Sequence, residues 1–263
     1  MTPTMRTVAT VAALALSSSA AQALLIYDAD NEGFTVGNPP PLTGAPDAPT
    51  TVDPNLVLTV QDGGTVATPN LGPDRFLRLT ETAGEAPDFR YDAGTSYTSG
   101  IISMSMDLLF ETDDAYHVYF RESLTSAVSV ANIMFQAGGT GSVTTTGGNS
   151  NFTYVTGLAY QLVAMLNLDT ELMDVSLNGT PIASALAIDD VFGAAIIGFE
   201  FSGSSPTRAD LDGAMQVDNF RMSVNTVPEP GMASLLLLAG AGGLFASAHR
   251  RRQRAQQPAA RRD

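Results

Sequence analysis

The sequence predicts an all-β protein: an antiparallel β-sandwich flanked by an N-terminal signal helix and a C-terminal transmembrane helix. Three observations predict it. Apolar and polar residues alternate at period two in several short segments. Gly and Asn turn signals separate those segments, and an uncharged apolar run lies near each end of the chain.

The N-terminal run comes first. Met1 to Arg6 carries one positive charge, Arg6, and Thr7 to Ser19 is short and apolar or small. Ala21-Gln22-Ala23 then supplies an A-x-A cleavage pattern, with Ala21 and Ala23 as the small residues the protease reads. This order is that of a secretory signal peptide over residues 1–23, so signal peptidase and the secretion translocon are expected partners. The apolar part is too short to span a bilayer.

The body, residues 24–226, follows. Between Leu24 and Val227 stand 25 acidic residues against 6 arginines, a net charge of −19, and the chain has no lysine. Such a body repels phosphate backbones, so no nucleic acid is expected as a partner. The chain has no cysteine, which excludes disulfides, thiolate metal sites and Cys nucleophiles. About 200 residues suffice for one core-stabilised domain.

Alternation is clearest in Gly100–Phe110, where Ile102, Met104, Met106, Leu108 and Phe110 share a face opposite Ser103, Ser105 and Asp107. It recurs at the end of the body, where Phe220, Met222 and Val224 alternate with Asn219, Arg221 and Ser223. Further strands are expected at Leu56–Val60, Phe76–Thr80, Tyr116–Arg121, Val128–Phe135, Phe152–Thr156, Tyr160–Leu168, Leu172–Leu177 and Ala195–Phe201. Asp62-Gly63-Gly64, Gly138-Gly139, Gly147-Gly148-Asn149 and Asn178-Gly179 are the expected turns. Ser184–Phe192 is the one stretch suited to a helical turn, and the Pro-rich segment 38–50 reads as an extended loop.

The hairpin YQLVAMLNLDTELMDVSLNGTPI, Tyr160 to Ile182, resembles one common in concanavalin-A-like (laminin-G-like) jelly rolls, and VDNFRMSV, Val217 to Val224, resembles their closing strand. The resemblance implies a jelly-roll sandwich. Many such sandwiches hold a structural calcium. Asp28-Ala29-Asp30-Asn31-Glu32-Gly33 sets carboxylates at alternate positions before a glycine, as oxygen-ligand loops do. Asp28, Asp30 and, on the closing strand, Asp218 are therefore the candidate calcium ligands. No other cofactor is expected.

Catalytic patterns are incomplete. His117 is the body's one histidine, in an alternating segment without a G-x-S-x-G elbow, and zinc needs more nitrogen or sulfur ligands than it offers. Some jelly-roll glycosidases carry an E-x-D-x-x-E strand. Here Glu111 and Asp113 fit, but Tyr116 stands where the second Glu belongs, so a retaining mechanism lacks one carboxylate. The chain also has no Trp on which to stack sugars. A non-catalytic surface or matrix protein, a lectin-like carbohydrate-binding module and a glycosidase are the three readings, and the first is the expectation.

The C-terminal part, residues 227–254, is the most specific. Val227-Pro228-Glu229-Pro230-Gly231 is a rigid extended stem. Residues 232–248 form an uncharged run spanning roughly 25 Å as a helix. Arg250, Arg251, Arg252 and Arg254 follow, and the positive-inside rule keeps them cytoplasmic with the acidic body outside. Residues 255–263 read as a disordered tail. Stem, span and Arg cluster in this order resemble a PEP-CTERM sorting signal, whose motif here is Val227, Pro228, Glu229 and Pro230. The resemblance implies an exopolysaccharide-making Gram-negative bacterium and processing by an exosortase, a membrane transpeptidase. The expected route is transient anchoring in the inner membrane with the body in the periplasm, then the cell surface or extracellular matrix. Exopolysaccharide is the partner expected there.

Overall fold

The computed structural model describes residues 23–44, 46–82, 88–122, 129–188, 196–202 and 213–225. The helices expected over 1–23 and 232–248 lie outside them, apart from Ala23, which precedes the first strand. The stem, the Arg cluster and the tail lie outside them as well. Among the described residues no helix is long and apolar enough to cross a membrane.

The described residues form fifteen strands in order: β1 (Leu24–Ala29), β2 (Thr51–Val52), β3 (Leu56–Asp62), β4 (Arg75–Glu81), β5 (Asp88–Tyr97), β6 (Ile101–Phe110), β7 (Tyr116–Arg121), β8 (Ser129–Gln136), β9 (Thr140–Thr145), β10 (Gly148–Thr153), β11 (Ala159–Asn167), β12 (Leu172–Leu177), β13 (Thr180–Ala187), β14 (Ile196–Ser202) and β15 (Ala214–Asn225). They form two antiparallel sheets. One has the order β13-β12-β11-β6-β15-β4-β3, with β1 added beside β15; the other has the order β10-β9-β8-β7-β14-β5-β2.

The two sheets share one core. In β6 the alternation predicted from sequence is realised: Ile102, Met104, Met106 and Leu108 are buried, while Ser103, Ser105 and Asp107 are half-buried on the other face. Aromatic rings bind sheet to sheet. Tyr91 of β5 stacks on Phe220 of β15 at 4.2 Å, and Phe110 of β6 meets Phe135 of β8 at 4.5 Å. Each such ring removes a large apolar area from water, worth about 2–3 kcal/mol.

Three expectations shift. Ser184–Phe192 was expected to turn helically, but Ser184 to Ala187 belong to β13, because pairing with β12 overrides the helix preference of alanine. Ala185 takes a φ of 49° where that register slips. The strand expected at Phe152–Thr156 is β10, which begins at Gly148. The turn expected at Gly147-Gly148-Asn149 is correspondingly earlier, at Thr146-Gly147.

Candidate functional site

β15 builds the site. Nine of its 12 residues pair with β6 along one flank. On the other flank its partner changes: β4 pairs with Ala214 to Val217, and β1 pairs with Phe220 to Val224. Asp218 and Asn219 fall at the change of partner, where the β6 register also shifts. Asn219 there has a φ of 51°, and Asn31, just past β1, has a φ of 62°. Asn tolerates the left-handed region better than most residues, and such conformations often mark bulges and sites.

The two asparagines hold two aspartates. Asn31 Nδ2 donates to Asp218 Oδ1 at 2.9 Å, and both residues are buried. Asn219 Nδ2 donates to Asp107 Oδ2 at 2.8 Å. Asp218 and Asp107 stand directly opposite each other on β15 and β6. Burial pushes the Asp218 carboxyl up to about 7. The charges of Asp107 and Glu32 add to that effect, while hydrogen bonds from Asn31 and the Asn219 backbone oppose it. The turn after β1 is fixed from the other side: Glu32 Oε1 accepts from the Arg75 backbone at 2.7 Å, and Arg75 Nη1 donates to Phe34 O at 2.8 Å.

Beside this cluster the outer face of the sheet is hollowed. A cavity of about 460 Å³ is lined by Asp28, Asp30, Asp107, Gln161, Asn219 and Arg221, among others. A second, of about 360 Å³, is lined by Leu25, Ser103, Val163 and Ser223. The two share Ser105 and Arg221, so they form one trough. Its floor consists of residues of β6 and β15, among them the small Ser103, Ser105 and Ser223. Its walls are β1 on one side and β11 on the other. Arg221 is half-exposed and ion-paired with Asp28, Nε to Oδ1 at 2.7 Å.

The three aspartates expected to share calcium are not gathered into one ligand set. Among the described residues no three His, Asp or Glu side chains converge on a possible metal position. Asp28 is engaged by Arg221, Asp30 accepts the Glu32 backbone N–H, and Asp218 is capped by Asn31.

Glu111, the first residue of the incomplete carboxylate triplet, is tied down. Arg78 Nε and Nη2 donate to its two oxygens at 2.8 and 2.7 Å, and Gln216 Nε2 donates at 2.8 Å. Burial alone would raise this carboxyl, but those hydrogen bonds and the Arg78 charge outweigh it and hold it below the ordinary range. A carboxylate stabilised this way is a poor proton donor. Tyr116 is buried and hydrogen-bonded to Ala214 O at 2.9 Å. His117 lies on the opposite sheet, stacked on Tyr119 and bonded to Asn132; burial lowers its basicity, and the Asn132 bond partly offsets that. Glu111 and His117 face away from each other on the two outer faces. Glu111→Gln should strand one side of the Arg78 fork. We expect a loss of about 1–2 kcal/mol, discounted for partial exposure, or roughly 4 °C in melting temperature. An unchanged melting curve would show that the ion pair holds nothing together.

Asn31, Asp107, Gln161, Asn219 and Arg221 were not singled out from sequence. The outward positions of Asp107 and Arg221 were legible in the alternation, but their meeting depends on the β15–β6 register.

β15 ends at Asn225, two positions before the stem begins at Val227. Residues 226–253 match the PEP-CTERM protein-sorting motif. A PEP-CTERM motif implies an exosortase as processing partner, with export and transient membrane anchoring before cleavage. No curated protein sequence matches the chain. Among solved structures, a sialidase is 13% identical with a TM-score of 0.46, covering 64% of this chain and 17% of its own. A botulinum neurotoxin serotype D ligand-binding domain is 12% identical with a TM-score of 0.43, covering 68% and 45%. An alginate lyase of polysaccharide lyase family 7 is 17% identical with a TM-score of 0.38, covering 64% and 77%. The chain thus spans a small part of the sialidase and less than half of the neurotoxin domain. The sandwich assignment rests on the sheet registers of the protein itself.

Proposed function

We propose that this is an exported cell-surface or extracellular-matrix protein with a non-catalytic sandwich body, delivered by exosortase processing of its PEP-CTERM tail. The match over residues 226–253 carries the reading. The acidic, lysine-free body and the arginine cluster behind the apolar run support the same orientation. The state of Glu111 supports a body without acid catalysis. Replacing Pro228, Glu229 and Pro230 with alanine should keep the apolar run but leave full-length protein in the inner membrane. Normal maturation of that variant, read by intact mass and fractionation, would reduce the tail to a plain anchor.

A second reading is that the body binds carbohydrate of the exopolysaccharide matrix. The trough on the outer face favours it, because it offers carboxylates, amides, a guanidinium and a hydroxyl in one cleft.

A further inference from the structure

We propose that the trough across β1, β15, β6 and β11 binds a neutral or amine-bearing glycan chain and rejects polyuronates. This rests on the carbohydrate-binding reading and names its ligand class.

The trough lies on a sheet face, not at an edge. β6 is paired on both sides, with β15 and with β11, so its backbone groups are consumed by the ladders. An extended peptide binds sheets by adding to a free edge, which the β6 and β15 floor does not offer. Recognition here must use side chains alone.

Those side chains suit hydroxyl-rich ligands. The wider cavity is lined by the carboxylates of Asp28, Asp30 and Asp107, the amides of Gln161 and Asn219, and the guanidinium of Arg221. Each is a planar group with two adjacent hydrogen-bonding atoms, and adjacent hydroxyls on a sugar ring present two matching partners. Several of these groups are already oriented. Arg221 is held by Asp28, and Asn219 is held by Asp107. Ordered groups lose less entropy when a ligand arrives.

Length and charge narrow the class. Ser103 to Asp107 spans about 13 Å along β6, so the floor extends beyond one sugar ring. Small side chains at Ser103, Ser105 and Ser223 leave room for a polymer to lie along it. Three carboxylates face one guanidinium at the wide end. That imbalance repels carboxylated or sulfated sugars and favours a protonated amine. The body's net charge of −19 has the same sign.

The test uses the full-length protein in a detergent without a sugar headgroup. Calorimetric titrations compare a neutral gluco-oligosaccharide, a glucosamine oligosaccharide with free amines, and an oligouronate of equal length. The neutral chain should bind, the amine chain should bind several-fold tighter at low salt with the gap closing at high salt, and the oligouronate should not bind. Ser105→Tyr fills the point the two cavities share and should abolish binding without lowering the melting temperature. Thr144→Tyr, on the opposite sheet, should bind as the parent does. Equal binding of the oligouronate, failure of the neutral chain, or binding retained by Ser105→Tyr would each overturn the proposal. Any of these leaves the sorting function intact, because that is read by maturation and not by binding.

Discussion

Raising the pH from 5 to 8 should lower the melting temperature by roughly 5–10 °C through Asp218, and Asp218→Asn should remove that loss. The argument starts from burial. Asp218 loses water on folding, faces Asp107 across the ladder and stays protonated in the fold up to about 7, against an ordinary value of 3.8. In the unfolded chain it ionises near that ordinary value. Between about pH 4 and 7 the folded state therefore binds more protons than the unfolded state. Stability falls as pH rises through this window and levels off above it. The full gap amounts to about 4 kcal/mol, of which about 2.6 kcal/mol falls between pH 5 and 8, and a body of this size loses roughly 2–4 °C per kcal/mol. Glu111 and His117 have the opposite sign: the Glu111 contribution is gained below pH 5, while the buried His117, whose basicity is lowered, adds some stability within the comparison and partly offsets the loss. In Asp218→Asn the amide keeps the shape and an acceptor for Asn31 while removing the charge. Its melting temperature should not fall between pH 5 and 8, because the remaining buried His117 favours the fold as pH rises, and at pH 8 it should exceed that of the parent. Parallel pH profiles for parent and variant would show that Asp218 titrates normally and that the cluster is not buried as described.

The sequence made the sandwich legible wherever a strand keeps one clean alternation. β6, β7, β11, β12 and the second half of β15 announce themselves in this way. Elements were missed where the period breaks. β1 has a register shift between Leu25 and Tyr27, so its apolar run LLIYDA does not alternate. β5 alternates only through Phe89 and Tyr91 before its register with β14 slips. β9 is dominated by Thr, Gly and Ser, which carry little apolar signal. The site was less legible for a different reason. Asp218 was picked out for its charge, but its meaning comes from Asn31, 187 positions away, and from Asp107 across a bulged ladder. No local pattern encodes either meeting. Calcium was inferred from spacing along Asp28 to Gly33, whereas folding commits Asp28 to Arg221 and turns Asn31 inward. The tail behaves oppositely: its information is linear, so three short segments in order sufficed.

Tyr27→Ala should lower the melting temperature by roughly 10–15 °C and also weaken glycan binding in the trough. Tyr27 is fully buried although it sits four residues from the start of the described chain. Its ring meets Tyr91 edge-on at 5.0 Å and Phe220 at 5.6 Å, and its hydroxyl donates to Asp92 O at 2.6 Å. It thereby ties β1 to both sheets. Truncating a buried aromatic ring costs about 3–5 kcal/mol, which gives the expected shift at 2–4 °C per kcal/mol. Tyr27→Phe keeps the ring and loses only the hydrogen bond, worth about 1 kcal/mol, so it should cost a few degrees. The pair of variants separates packing from bonding. Their effect on function follows from where β1 lies. It supplies Leu25 and Asp28 to the wall of the trough, and it is the second flank of β15 just before the sorting motif. If β1 detaches when its anchor is cut, the trough loses a wall while β6 and β11 remain paired. Binding should then fall in Tyr27→Ala at temperatures well below its melting point, and persist in Tyr27→Phe. A Tyr27→Ala protein that melts within a degree or two of the parent would mean that β1 contributes no anchoring, and the trough would lose its wall as a built feature.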